Sequence, residues 1–97
     1  MQKLSNIHHR SEIAYVMINC ESGCETSVLE EIKDLVGIKE IKGIIGNYDI
    51  IIKIETGSIE QLRDLITMKI RRTPCILATT TLLCTGQPTP MLTQSIQ

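Results

Sequence analysis

Gly46-Asn47-Tyr48-Asp49 stands near the middle of the chain, between two isoleucine-rich runs, residues 38–45 before it and 50–54 after it. Glycine and asparagine both tolerate positive φ, so Gly46-Asn47 reads as a tight turn. Two β-branched runs joined by such a pair predict a β-hairpin. The two strands fall at residues 38–45 and 48–55. In the later one, Ile50, Ile52 and Ile54 share one face, and Asp49, Ile51, Lys53 and Glu55 share the other. Gly43 inside the earlier strand marks a bulge or a close backbone approach.

Working outward, residues 13–20 (IAYVMINC) form a largely apolar run, as expected of a strand buried on both faces. Glu21-Ser22-Gly23 breaks it. Ser22 with Glu25 has the form of a capping box, so a helix is predicted from there to Val36. Val28, Leu29, Ile32, Leu35 and Val36 make its apolar stripe, and Gly37 is suited to end it. Beyond the hairpin, Ser58 with Gln61 has the same capping form. The helix it opens carries Ile59, Leu62, Leu65, Ile66 and Ile70 on one stripe, and Pro74 stops it. A last strand runs from Cys75 to Cys84 or Thr85, with Thr79, Thr80 and Thr81 sending hydroxyls to both faces.

The two halves repeat. Ile18-Asn19-Cys20-Glu21-Ser22-Gly23 resembles Ile52-Lys53-Ile54-Glu55-Thr56-Gly57, and at the same offset Val28, Ile32 and Val36 meet Leu62, Ile66 and Ile70. Two such halves give βαββαβ, an α+β, ferredoxin-like fold. Right-handed crossovers place both helices on one face of a four-stranded antiparallel sheet. The other face keeps apolar residues, Ile51 among them, and needs a cover. A homodimer packed sheet to sheet, extending to a larger ring of dimers, supplies one.

Length and composition bound the function. Ninety-seven residues make one domain with a modest core. With 42% apolar residues, no Phe, no Trp and two Tyr, that core must be aliphatic, and aromatic platforms for bases are nearly excluded. A net charge of −1 offers no basic footprint for nucleic acid. The Lys69, Arg71, Arg72 cluster complements a helix C-terminus. No run is long and apolar enough to span a bilayer, and residues 1–12 lack the apolar core of a secretion signal. A cytoplasmic protein is expected, with Cys20, Cys24, Cys75 and Cys84 reduced. Residues 1–12 read as a polar arm, 13–85 as the domain and 86–97 as a loose tail.

Catalytic constellations are thin. There is no phosphate loop and no nucleophile elbow, and the histidines, His8 and His9, both lie in the arm. No enzyme and no cofactor are expected. Cys20-x-x-x-Cys24 crosses a strand-to-helix loop, where ferredoxin-like copper chaperones place thiolates, but their Met-preceded CxxC is missing here. Cys75 and Cys84 have the wrong separation for a second pair. A metal- or redox-responsive protein using Cys20 and Cys24 is the alternative reading; partly buried inert thiols are the simpler one.

An ordered series of segments then becomes informative: Ala14-Tyr15-Val16-Met17-Ile18, Ile44-Ile45-Gly46-Asn47-Tyr48-Asp49-Ile50-Ile51-Ile52-Lys53, Lys69-Ile70-Arg71-Arg72-Thr73-Pro74 and Thr79-Thr80-Thr81. It resembles the ligand-sensing (RAM) domain of the Lrp/AsnC transcriptional regulators, over roughly residues 13–85. The resemblance is to the sensing domain alone, since the arm is too short for a helix-turn-helix. It implies sheet-to-sheet dimers that assemble into octamers or decamers. Amino acids or similar effectors would bind between dimers, and the domain would modulate transcription by co-assembly with full-length, DNA-binding relatives, without gripping nucleic acid itself. Gly46, Asn47, Tyr48 and Asp49 match the effector loop, and Thr79, Thr80 and Thr81 the polar contacts of the last strand. Gly46 and Asn47 can present N–H groups to a carboxylate, and Asp49 can accept from an α-ammonium. A turn-capping role for Asp49 and plain strand propensity for the threonines are the structural counterparts of those roles.

Overall fold

The computed structural model describes residues 11–85. In chain order these form β1 (Glu12–Cys20), α1 (Glu25–Ile32), β2 (Ile38–Gly43), β3 (Ile50–Thr56), α2 (Ile59–Asp64), a π-helical continuation of α2 (Leu65–Ile70) and β4 (Ile76–Leu83). The sheet order is β2-β3-β1-β4, antiparallel at every pairing. This is the ferredoxin-like βαββαβ arrangement, with β1 and β3 in the centre and both helices on one face.

Alternation along the strands decides what the helices cover. Ala14, Val16 and Ile18 of β1 lie opposite Ile54, Ile52 and Ile50 of β3. All six are fully buried, together with Val28 and Ile32 of α1 and Ile70 at the end of the second helix. Leu62, Leu65 and Ile66 complete a single aliphatic core. Burying a side chain of this size stabilises by about 1.5–3 kcal/mol, so this cluster is what holds the sheet under the helices.

The other face carries three cross-strand rows. Lys42, Ile51, Met17 and Thr80 form one, and Glu40, Lys53, Tyr15 and Leu82 the next. Ile13 forms the third with Glu55 and Cys84, the Cys84 N–H donating to the Ile13 carbonyl at 2.9 Å. Ile51, Met17, Tyr15 and Ile13 thus form an apolar band on the two central strands, with Lys53 and Glu55 of β3 interleaved and Lys42, Glu40 and Thr80 on the edge strands. No helix of the described residues is long and apolar enough to cross a membrane.

Local signals hold at one helix start and fail at the other. At α2, Ser58 Oγ accepts from the Gln61 N–H at 3.1 Å, and the Gln61 side chain reaches back to the Gly57 N–H at 2.9 Å. The matching Ser22–Glu25 box does not form. Gly23 takes φ +88° and shifts the helix start past Ser22, so Cys24 occupies the N-cap without a side-chain bond and Glu25 caps the Gly23 N–H instead. That helix also ends at Ile32 rather than Val36. The chain turns tightly through Leu35–Ile38, Gly37 taking φ +103°, which keeps Leu35 against the core and leaves Val36 93% exposed.

The central turn is wider than a two-residue hairpin. β2 stops at Gly43 and β3 starts at Ile50. The Ile44 N–H still donates to the Asp49 carbonyl at 2.8 Å, which leaves residues 45–48 as the loop. Gly46 has φ +148° while Asn47 does not have a positive φ, so one left-handed residue rather than two makes the reversal. The second helix tightens differently: the Arg71 N–H donates to the Ile66 carbonyl, five residues back, which is the π-helical bond.

Candidate functional site

The loop between β2 and β3 is tied to the sheet at two points. The Asp49 N–H donates to the Ile18 carbonyl and its Oδ2 accepts from the Cys20 N–H, both at 2.9 Å. Asp49 therefore closes the end of β1, where the ladder with β3 would otherwise leave a backbone donor unpaired. This is the turn-capping role for its carboxylate. The second carboxylate oxygen has no partner among the described residues and stays available for a donor. Tyr48 reaches across the sheet, its hydroxyl donating to Thr80 Oγ1 of β4 at 3.4 Å. The bond is long and exposed, so it orients more than it stabilises.

Gly46 and Asn47 form the exposed tip, and neither N–H donates to another described residue. The three threonines divide. Thr80 pairs with Met17 and lies on the uncovered face, in reach of Tyr48. Thr79 and Thr81 pair with Ile18 and Val16 and point to the helix side, at the sheet edge. The structure thus brings Tyr48, Asp49 and Thr80 to one end of the sheet, and separates Thr79 and Thr81 from them. The loop is open in a single chain. A hollow of about 550 Å³ lies at the opposite end, between Gly37, Thr56, Gln61 and Leu65. Gly57 and Gln61 of its lining belong to the capping of the second helix, and none of the candidate site residues lines it. A smaller one, about 220 Å³, lies on the uncovered face between Tyr15, Glu40, Lys42, Ile51 and Lys53.

A second cluster was not legible as such. Cys24 meets Cys75, not Cys20, which turns into the core with 6% exposure. The Cys24 thiol, the Cys75 thiol and the Glu21 carboxylate lie within 4.8 Å of one another. The Cys24 thiol is pushed up to about 11, first by its hydrogen bond with Cys75, then by burial and by the charges of Cys75, Glu21 and Cys20. Burial raises Cys20 as well, followed by the Asp49, Glu25, Cys75 and Glu21 charges. The signal that would have found the pairing is topological. In βαββαβ, β4 runs beside β1, so the end of one meets the start of the other. His8 and His9 lie outside the described residues.

The chain matches the Lrp/AsnC ligand binding domain over residues 13–91, and it belongs to that family. It is similar to the crystal structure of FFRP-DM1, at 33% identity and TM-score 0.73, covering 75% of this chain and 97% of that one. Escherichia coli AsnC shares the fold at 24% identity and TM-score 0.76, over 88% of this chain but 57% of AsnC. The Neisseria meningitidis transcriptional regulator NMB0573, solved as its L-Met complex, shares it at 6% identity and TM-score 0.69, over 91% of this chain and 62% of that one. No curated protein gives a significant sequence match.

Proposed function

We propose that this domain senses an amino acid or a closely related metabolite through the Gly46–Asp49 loop and transmits the result by assembly. The observation that carries the reading is the loop's chemistry. The N–H groups of exposed Gly46 and Asn47, with no acceptor among the described residues, stand within three residues of the Asp49 carboxylate, one of whose oxygens has no partner among them. That is the complement of a zwitterion: donors for its carboxylate, an acceptor for its ammonium. Family membership supports a regulatory ligand-binding role rather than catalysis. The L-Met complex of the Neisseria meningitidis regulator, which has the same fold, supports an amino acid as the effector class.

Tyr48 and Thr80 border the site in this reading, and the openness of the loop calls for a second subunit to close it. The uncovered sheet face makes the dimer, and dimers join into an octamer or decamer. Thr79 and Thr81 enter the site only from a neighbouring subunit. The protein works in the cytoplasm and needs no cofactor. It acts on transcription through co-assembly with DNA-binding relatives.

Calorimetric titration against the twenty L-amino acids tests this. A saturable heat from at least one of them is expected, and Asp49→Asn should weaken it at least tenfold while keeping an acceptor for the Cys20 N–H. Absence of heat across the panel, or undiminished binding by Asp49→Asn, would overturn the reading.

A further inference from the structure

We propose that Glu21, Cys24 and Cys75 form a binding site for a divalent, borderline-soft metal ion of the zinc type, separate from the effector loop. Three donors from two distant parts of the chain converge there, all within 4.8 Å of one another. Around a tetrahedral zinc, thiolate and carboxylate ligands at about 2.0–2.3 Å stand roughly 3.5–3.8 Å apart. Closing the widest gap therefore takes at most about 1 Å of movement shared by two side chains. Two thiolates and a carboxylate suit zinc better than magnesium or calcium, which take oxygen ligands. A water completes the four.

The backbone holds the donors in place before any ion arrives. The Glu21 N–H donates to the Cys75 carbonyl at 2.9 Å, joining the end of β1 to the start of β4. The Cys24 N–H donates to the Glu21 carbonyl at 3.0 Å, folding the loop so that both side chains share one side. Cys75 has φ +77°, the left-handed region that no other non-glycine residue among the described ones adopts.

A bound divalent ion would set positive charge beside the Glu21 carboxylate and displace the thiol protons of Cys24 and Cys75. Binding releases the two thiol protons to solvent, so affinity rises with pH.

The test uses the full chain, reduced and stripped of metal, titrated with Co²⁺ as a spectroscopic substitute for Zn²⁺. One equivalent per chain should bind, with thiolate-to-cobalt charge-transfer and tetrahedral ligand-field bands, and Zn²⁺ should bleach both. Cys24→Ser and Cys75→Ser should each lose at least tenfold in affinity. Glu21→Gln should weaken binding, and Cys84→Ser should leave it unchanged. Because Cys75 occupies an unusual backbone conformation, a second readout on the unaltered chain runs alongside. Zn²⁺ should protect Cys24 and Cys75 from iodoacetamide while Cys84 alkylates freely. Substoichiometric cobalt without charge-transfer bands, or an alkylation pattern indifferent to Zn²⁺, overturns the proposal. So does a Cys24–Cys75 disulfide forming in air in a protein whose reduced form takes up no metal.

Discussion

The two faces of the sheet are built to opposite rules. Under the helices, Ala14, Val16, Ile18, Ile50, Ile52 and Ile54 are fully buried with no polar group among them. On the other side, Ile13, Tyr15, Met17 and Ile51 are half-buried and interleaved with Glu40, Lys42, Lys53, Glu55 and Thr80. A face that must be dry in one chain tolerates only hydrocarbon. A face completed by another chain can combine apolar area with charged groups, which limit and orient the contact. The difference gives folding to the first and, in the function proposed above, assembly to the second; the candidate loop lies at the end of the sheet where Tyr48 crosses toward Thr80.

The comparison breaks most visibly at Ile52, buried at the centre of β3. Ile52→Ala should cost about 2–5 kcal/mol in urea unfolding. A loss of less than about 1 kcal/mol would mean that the helix-covered core is not what holds the domain. Next comes Asp49, at the boundary between fold and site. Asp49→Ala removes the acceptor of the Cys20 N–H and should cost about 1–3 kcal/mol, whereas Asp49→Asn should recover most of that in the same unfolding assay. Tyr48→Phe deletes only a long, exposed bond, and its stability should lie within about 0.5 kcal/mol of the parent.

The smallest effect concerns pH. The Cys24 thiol sits at about 11 in the folded chain against an ordinary 9.0, so the folded form holds its proton longer. That contribution is fully present below pH 9.0 and is lost as pH rises toward 11. Thermal melts should therefore be flat from neutrality to pH 9.0 and decline above it, with a shallower decline in Cys24→Ser. An identical slope in the variant would contradict the assignment.

Much of this was legible in the chain because it rests on period and order. The repeat, the strand faces around Ile50, Ile52 and Ile54, and the Ser58–Gln61 cap all follow from spacing that local geometry respects. Failures came where two signals competed. Ser22 and Glu25 spell a capping box, but Gly23 between them relaxes into a left-handed turn and postpones the helix. Val36 continues the helical stripe in spacing, yet the turn at Gly37 takes the chain away first. Gly46-Asn47 spells a two-residue turn, but only Gly46 takes positive φ, and the loop opens wider. In the candidate site, Asp49 and Tyr48 were readable from the loop. That Thr80, and not Thr79 or Thr81, lies beside Tyr48 depends on the β1–β4 register, and so does the meeting of Cys24 with Cys75. Neither is written in a spacing.

The most direct test of the division between the faces is sedimentation velocity on Ile51→Glu beside the unaltered chain. Ile51 lies opposite Lys42 and Met17, so a glutamate there meets a cation within its own sheet and should leave the fold intact. The unaltered chain should sediment as a dimer or larger, and the variant as a monomer with unchanged far-ultraviolet circular dichroism. An Ile51→Glu protein that assembles like the parent, or a parent that sediments as a monomer, would contradict the account.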